Sequence, residues 1–264
     1  MKKILKVLSI LLASALLIGI GFISNMFLGN PVSYYLAYSS AKEYIKAHHN
    51  ATDYEVERVV YDFKFSDYMA YISSKENIDG DFTLRMDYKG SVEFNDYEDR
   101  VTGHQNVVYR LREEYNNVII NEGLKANLPY NFIGNVVFEF DGLYKKHEGA
   151  LEVSDLELNK DYDMATLARN QGYITVWTHV EEPDLQKLSE ILLEVKRVAD
   201  ENGVTFYAVT LSLFEPGNAA EIVGVDVFLY EDIYEEGLIQ RIEKNIEDTE
   251  AYYENLRKES EENV

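Results

Sequence analysis

Three consecutive stretches decide the fold: YITVWTHV at 173–180, EEPDLQKLSEILLEVKRVADENG at 181–203 and VTFYAVTLSLF at 204–214. The first predicts a strand whose two faces are both largely apolar or aromatic, and it holds the only tryptophan, Trp177. The second predicts a helix. Glu181, Glu182 and Asp184 flank Pro183 at its start, while Lys196 and Arg197 sit near its end, and both sets favour the helix dipole. Leu185, Leu188, Leu192, Val195 and Ala199 form its apolar stripe, and Asn202-Gly203 supplies the stop. Val204 to Phe214 reads as a strand again, and Pro216-Gly217-Asn218 turns the chain into another with Val223, Val225, Val227 and Leu229. A strand, a helix and a strand in one sheet require a crossover between parallel strands, and the following hairpin adds an antiparallel one. A last helix is expected over about residues 233–258, with Leu238, Ile242, Ile246, Tyr253 and Leu256 turned inward.

Upstream of these stretches, Val136, Phe138 and Phe140 suggest a further strand, and Leu151 with Val153 its partner. The reading is a C-terminal module over 130–264 containing β-α-β-β-α. Gly123 to Tyr130, with Pro129 and no clear period, marks its border. Residues 30–125 read as an α-β-β-β-β-α module. Asn30-Pro31 opens a helix over 31–48, because Asn is a good N-cap and Pro loses only an orphan N–H at the first turn. Its expected inner face carries Tyr34, Ala37, Tyr38, Ala41, Ile45 and His48. Strands follow at Val59, Tyr61, Phe63 and Phe65, at Tyr68 to Ser73, at Phe82, Leu84, Met86 and Tyr88, and across the Lys89-Gly90 turn at Val92 and Phe94. A helical stretch over roughly 98–122 closes the module, with Val108, Leu111, Tyr115, Val118 and Ile119 on one side. The fold class is α+β: two small modules, each an antiparallel or mixed sheet with helices packed on one face.

The charge is divided unevenly. Of a formal −22, residues 1–30 carry +3, from Lys2, Lys3 and Lys6, which leaves −25 on the rest. Val7 to Leu28 is almost wholly apolar, interrupted by Ser9, Ser14, Ser24 and Asn25. As a helix it would measure roughly 33 Å, against about 30 Å for a bilayer core. Residues 1–29 are therefore expected to form a short cytoplasmic stub and an uncleaved transmembrane signal anchor, with the body outside by the positive-inside rule. A cleavable signal peptide fits less well, because Ala13-Ser14-Ala15 lies in the middle of the apolar run. Ala15 and Gly19 are a small-xxx-small pair of the kind that lets helices approach, though such pairs are common by chance.

Chemistry is sparse. With no cysteine there is no disulfide, thiolate ligand, catalytic thiol or lipidated lipoprotein cysteine. The acid excess argues against nucleic acid as a partner. His147-Glu148 begins like a zinc-protease motif, but Leu151 stands where the second His belongs. His48 and His49 are adjacent on a helix and point apart, so the plainer expectation is a half-buried His48 and a His49 that stabilises the helix end. His104 and His179 lack diagnostic partners. Asn77-Ile-Asp-Gly-Asp81 lacks the spacing of an EF-hand and reads as a turn. The 47 acidic residues single out no glycosidase pair. Twenty-one tyrosines suit sheet packing better than a sugar platform. The 12 acids and 4 bases of 231–264 read as a solvated helix face. No catalytic, cofactor-binding or metal residue is assigned, no cofactor is expected, and the binding residues are left open.

Short motifs nevertheless resemble those of a known family. These are Gly29-Asn30-Pro31-Val32-Ser33 after a lysine-led anchor, Tyr35-Leu-Ala37, Asp96-Tyr-Glu-Asp-Arg-Val101, Lys160-Asp-Tyr-Asp163 and the Gly172–Trp177 strand with the acidic helix start that follows. Together they resemble the YfjL-like proteins of Gram-positive bacteria. The resemblance implies a membrane protein with distinct N- and C-terminal modules and carries over no catalytic residues. The N-terminal layout is also similar to PepSY-type modules, which are thought to restrain peptidases, and that likeness is at fold level only. The expected function is a single-pass, membrane-tethered, non-enzymatic binding or regulatory module at the cell surface, with a protein or cell-wall partner. The alternatives are a cell-wall hydrolase using a carboxylate pair, or an envelope assembly or stress factor.

Overall fold

The computed structural model describes residues 2–262; Met1, Asn263 and Val264 lie outside the described residues. The chain divides into two compact units, Met1–Asn106 and Val107–Val264.

The first unit begins with α1 (Lys2–Leu28) and α2 (Pro31–His48). Between them Gly29 adopts φ +69°, and the Asn30 side chain accepts the Ser33 N–H at 2.8 Å as N-cap, with Pro31 in the first turn. Four antiparallel strands follow in the order β1 (Tyr54–Asp62), β2 (Asp67–Ser74), β3 (Phe82–Met86) and β4 (Val92–Asn95). Ala37, Ala41 and Ile45 of α2 are buried against a sheet face built from Val56, Val59, Ala70, Ile72, Leu84 and Met86. A bulge at Glu57 opposes two β1 residues to one on β2, which lets Val56 and Val59 both point inward despite their odd spacing. The expected strand over 59–65 therefore stops at Asp62. Phe63 and Phe65 lie in the β1–β2 turn, 53% and 67% exposed. Tyr34 and His48 face solvent rather than the core.

The second unit holds α3 (Gln105–Tyr115, which starts two residues before the division), a π-helical stretch Asn116–Lys125, β5 (Asn131–Val136), α4 (Met164–Gln171), β6 (Gly172–His179), α5 (Leu185–Glu201), β7 (Ala208–Phe214), β8 (Glu221–Leu229) and α6 (Leu238–Glu262). The sheet order is β5-β6-β7-β8; β6 and β7 are parallel across the α5 crossover, and both outer pairs are antiparallel. Asp184 caps α5 by accepting the Lys187 N–H at 2.7 Å, and Gly203 ends it at φ +65°. Leu188, Leu192, Val195 and Ala199 join Ile174, Val176, Val209, Leu211 and Leu213 in one core.

Several boundaries differ from expectation. The helical stretch at 98–122 is a π-helical turn (Glu98–Thr102), α3 and a second π-helical stretch, and its apolar side belongs to the second unit: Val107, Val108, Leu111, Tyr115 and Ile119 are buried in that core, while Val118 is exposed. The division therefore falls at Asn106, not in 123–130. The expected strand at 136–140 is β5, five residues earlier, and Leu151 and Val153 lie in a loop and a 3₁₀ turn rather than in a partner strand. Gly134 hides β5 from a pattern search because the Tyr115 ring fills the place of its side chain; a Cβ there would meet Tyr115 Cε1 at 2.5 Å. Helix α6 starts at Leu238, and Tyr253 and Leu256 are exposed, so only its first half contributes to the core.

Tyr115 is fully buried and its hydroxyl has no hydrogen-bond partner among the described residues. A buried, unpaired hydroxyl costs about 1–3 kcal/mol of solvation. Tyr115→Phe is therefore expected to raise the urea midpoint of the second unit; a loss of stability would mean that the hydroxyl is satisfied.

Candidate functional site

The chain makes a long excursion between β5 and α4, residues 137–163, with a single 3₁₀ turn at Val153–Asp155. Such a segment inside a packed unit is uncommon unless it has work to do. Its first part folds over the sheet face opposite the helices. There Val137, Phe140 and Tyr144 pack with Tyr173, Tyr207, Ala208, Val227 and Leu229 as a second, smaller core. Tyr144 meets the Tyr173 ring edge-on at 4.8 Å, and His147 stacks on Tyr207 at 4.3 Å.

The excursion is held by the end of α4. Buried Gln171 donates from Nε2 to the carbonyls of Val137 (2.6 Å) and Leu151 (3.1 Å) and accepts the Leu151 N–H at 2.6 Å. Asn170 donates to the Gly149 carbonyl at 3.0 Å, and the Asn170 carbonyl faces His147 Nε2.

On the neighbouring side, β8 carries a bulge opposite Thr210, formed by Asp226 and Val227. Val227 sits at φ +49°, a left-handed conformation that is an outlier for a β-branched residue and stores strain. Its surroundings hold it there. The Thr210 hydroxyl donates to Asp226 Oδ1 at 2.6 Å and accepts the Val227 N–H at 3.3 Å, and the Tyr253 hydroxyl donates to Asp226 Oδ2 at 3.1 Å. The Asn245 side chain of α6 pairs with both backbone groups of Asp226, at 3.0 and 2.9 Å.

Between this bulge, α6 and the tip of the excursion lies an open cleft of about 620 Å³. Gly142, Leu143 and Lys145 come from the excursion, Tyr207 and Asp226 to Leu229 from the sheet, and Arg241, Lys244, Asp248 and Tyr252 from α6. A second cleft of about 440 Å³, lined by His147, Arg169 and Tyr230, adjoins it through Tyr207 and Leu229. The left-handed φ of +57° at Gly142, and the Tyr252 hydroxyl in the space of a Cβ, let the excursion come close to α6.

The cleft is electrostatically mixed. Arg241 is committed to structure, donating to the carbonyls of Asp232, Tyr234 and Glu236 and stacking on the Tyr234 ring. Among the described residues, the side chains of Lys145, Lys244 and Asp248 make no hydrogen bond or ion pair within the chain. Burial raises the Tyr207 phenol above its ordinary pKa, with Glu231 adding to the effect. Burial also raises Tyr144, helped by Asp226 and Asp141, and Tyr253, helped by Asp226. These phenols are hydrogen-bond donors at neutral pH, not phenolate nucleophiles.

The motifs singled out in the sequence are not brought together. His147 lies at the second cleft with its ring nitrogens against the carbonyls of Glu148 and Asn170, and Glu148 is exposed. Asn77–Asp81 is a turn: Asn77 accepts the Asp79 N–H at 2.9 Å, and Asp81 accepts the Ser74 N–H at 2.8 Å. His104 stands at φ +57° after a π-helical turn, and His179 is exposed beside Phe214. Among the described residues no group of three or more His, Asp or Glu side chains gathers to hold a metal ion.

The expected roles of His48 and His49 are exchanged. His48 is exposed and stacks on Tyr44 at 4.1 Å, while His49 is half-buried among Tyr54, Phe82 and Tyr97. Burial, and then the neighbouring His48, lower the His49 pKa. As the pH falls through about 6.5 the unfolded chain takes up a proton that folded His49 still refuses, so stability is full above that pH and declines below it. Urea unfolding of the wild type should weaken between pH 7.5 and pH 5, and His49→Phe should flatten that slope. An unchanged slope would remove His49 as its source.

Comparison with known proteins gives two successive matches. Residues 3–96 match the YfjL-like N-terminal domain, and residues 114–243 match the YfjL-like C-terminal domain. No curated protein and no solved structure matches. The two domain matches follow the same division as the two sheets, and together they span the N-terminal helix, both sheets and the start of α6. With most of its length matched in this way, the chain belongs to the YfjL-like family.

Proposed function

We propose that this protein is a single-pass, membrane-tethered, extracytoplasmic binding module without catalytic activity, and that it holds a peptide-bearing ligand of the cell surface in the cleft between β8 and α6. Support for the tether comes from α1, the one helix among the described residues that is long and apolar enough to cross a membrane. The +3 charge at its start, against −25 beyond residue 30, favours a cytoplasmic N-terminus.

The observation that carries the ligand class is the unpaired charge around the cleft. Lys145, Lys244 and Asp248 offer both signs beside the Tyr207 and Tyr252 rings. A ligand with amino and carboxyl groups matches that set, as a peptide or a peptide-substituted glycan does. The cleft's volume lies within the range of small-ligand sites. Asp226 at its wall is engaged by Thr210 and Tyr253, and so serves as a bracket for the bulge rather than as a free acid.

The test is titration of the detergent-purified full chain with cell-wall muropeptides. Binding should weaken at least tenfold in Lys244→Glu and in Tyr252→Ala, with thermal unfolding unchanged in Lys244→Glu. Binding indifferent to both substitutions would overturn the assignment of the cleft, and turnover of the muropeptide would replace binding by hydrolysis.

A further inference from the structure

The turn between β1 and β2 lies beside the end of α1. The Phe63 ring is 6.0 Å from that of Phe27, and the Tyr61 hydroxyl donates to the Met26 carbonyl at 3.2 Å. Tyr68 fixes the next residues. Its hydroxyl accepts the Asn30 N–H at 2.8 Å and donates to the Asn30 carbonyl at 3.3 Å. Gly29 has no room for a side chain, since a Cβ would meet the Tyr68 hydroxyl at 2.6 Å and Tyr61 Cγ at 2.8 Å. The first unit is thus fastened to the end of its own anchor, and the β1–β2 turn is held at the level of Phe27. Phe27 is one residue short of the end of the apolar run.

At that level, Phe63 and Phe65 protrude from the turn with Lys64 between them, and Val32 and Tyr35 stand exposed on the first turns of α2. Apolar rings on a turn tip are costly in water. At the boundary between headgroups and acyl chains they are favourable, and a lysine there can bury its stem and keep its ammonium in water. We infer that the β1–β2 turn is a second membrane contact, with Phe63 and Phe65 seated in the interface of the outer leaflet of the bilayer that α1 crosses. The occupant is the lipid itself. The ring contact with Phe27 argues for it, because that contact makes the turn continuous with the anchor. The contact would hold the first unit against the membrane instead of leaving it to swing on one helix. The inference rests on α1 spanning a bilayer.

Because the chain has no cysteine, single positions can be labelled in the full protein without further changes. The test uses Lys64→Cys, Leu16→Cys and Glu76→Cys, each labelled with an environment-sensitive fluorophore. The variants are reconstituted into vesicles of phosphatidylglycerol and phosphatidylcholine, with and without spin-labelled lipid. Leu16 lies in the apolar run, and Glu76 is exposed in the loop between β2 and β3. The expected result is blue-shifted emission and lipid quenching at both Lys64→Cys and Leu16→Cys, with neither at Glu76→Cys. Adding Phe63→Ser and Phe65→Ser to Lys64→Cys should return its emission to that of Glu76→Cys. If Lys64→Cys behaves like Glu76→Cys while Leu16→Cys is quenched, the second contact is overturned and the anchor stands. If Leu16→Cys is not quenched, the anchor fails, and the second contact fails with it.

Discussion

Gln171→Ala should destabilise the second unit by roughly 3–5 kcal/mol, a large share of the stability of a domain of this size. The buried Gln171 amide satisfies the carbonyls of Val137 and Leu151 and the N–H of Leu151, all in the excursion that forms one wall of the cleft. Alanine leaves three backbone groups without partners where water does not replace them, and it adds a cavity. The loss would be registered as a lower urea midpoint together with early proteolysis within 137–163. Gln171→Glu separates hydrogen bonding from volume. A carboxylate of the same shape still accepts from Leu151 but faces two carbonyls with no proton to offer. Its folded form is the neutral acid, with a pKa raised above that of the unfolded chain, so its stability should recover as the pH falls toward the unfolded value of about 4.3. A Gln171→Glu protein as stable at pH 8 as at pH 5 would sink this account.

The sequence disclosed elements whose side chains carry their own pattern. Helix α5 was legible from its caps and stripe because each signal lies within one turn of the element it marks: Asp184 before, Asn202-Gly203 after, and Leu188, Leu192, Val195 and Ala199 between. The parallel pairing of β6 and β7 followed from that helix, because a crossover of its length returns the chain in the same direction. Elsewhere the informative residue was the wrong kind. β5 presents Gly134 where an apolar side chain would have signalled a strand, and the ring that replaces it, Tyr115, belongs to another element. α4 is eight residues long and ends in a buried glutamine, so Leu167 and Ala168 are its only buried apolar residues, too few to mark a helical period.

The cleft was less legible still. Its walls come from Gly142 to Lys145, from Tyr207, from Asp226 to Leu229 and from Arg241 to Tyr252, and no local spacing relates them. Val227 illustrates the difficulty. Valine is a strong strand former, and nothing local announces the left-handed turn that Thr210 and Asn245 impose around it. The N-terminal helix is the opposite case, since length and apolar composition alone single it out. Histidine 49 shows the limit of helix-end reasoning. Which of two adjacent histidines turns inward was decided by the rings of Tyr54, Phe82 and Tyr97, from elements that the helix does not specify.

Replacing both Asn116 and Asn245 by leucine should cost about 4 kcal/mol and open both edges of the second sheet to pairing with another chain. β5 and β8 are the two edges of their sheet, and each is closed by one asparagine side chain. Asn116 accepts the Gly134 N–H at 2.8 Å and donates to its carbonyl at 2.7 Å; Asn245 does the same for Asp226 at 3.0 and 2.9 Å. A primary amide used in this way imitates the backbone of a further strand, yet it offers no second edge to continue the ladder. Arg112 adds to the first closure by donating to the Val136 carbonyl at 3.1 Å. Each leucine leaves an N–H and a carbonyl unpaired at an edge partly shielded from water, worth about 2 kcal/mol. The two sites are three strand spacings apart, roughly 14 Å, and share no partner, so the losses should add. Light scattering at fixed protein concentration would follow the association, and urea unfolding of the single and double variants would test additivity. A double variant that scatters no more light than the wild type while losing stability would show that the bulge at Asp226 and Val227 is sufficient to keep β8 from pairing, and would leave Asn245 with only a packing role.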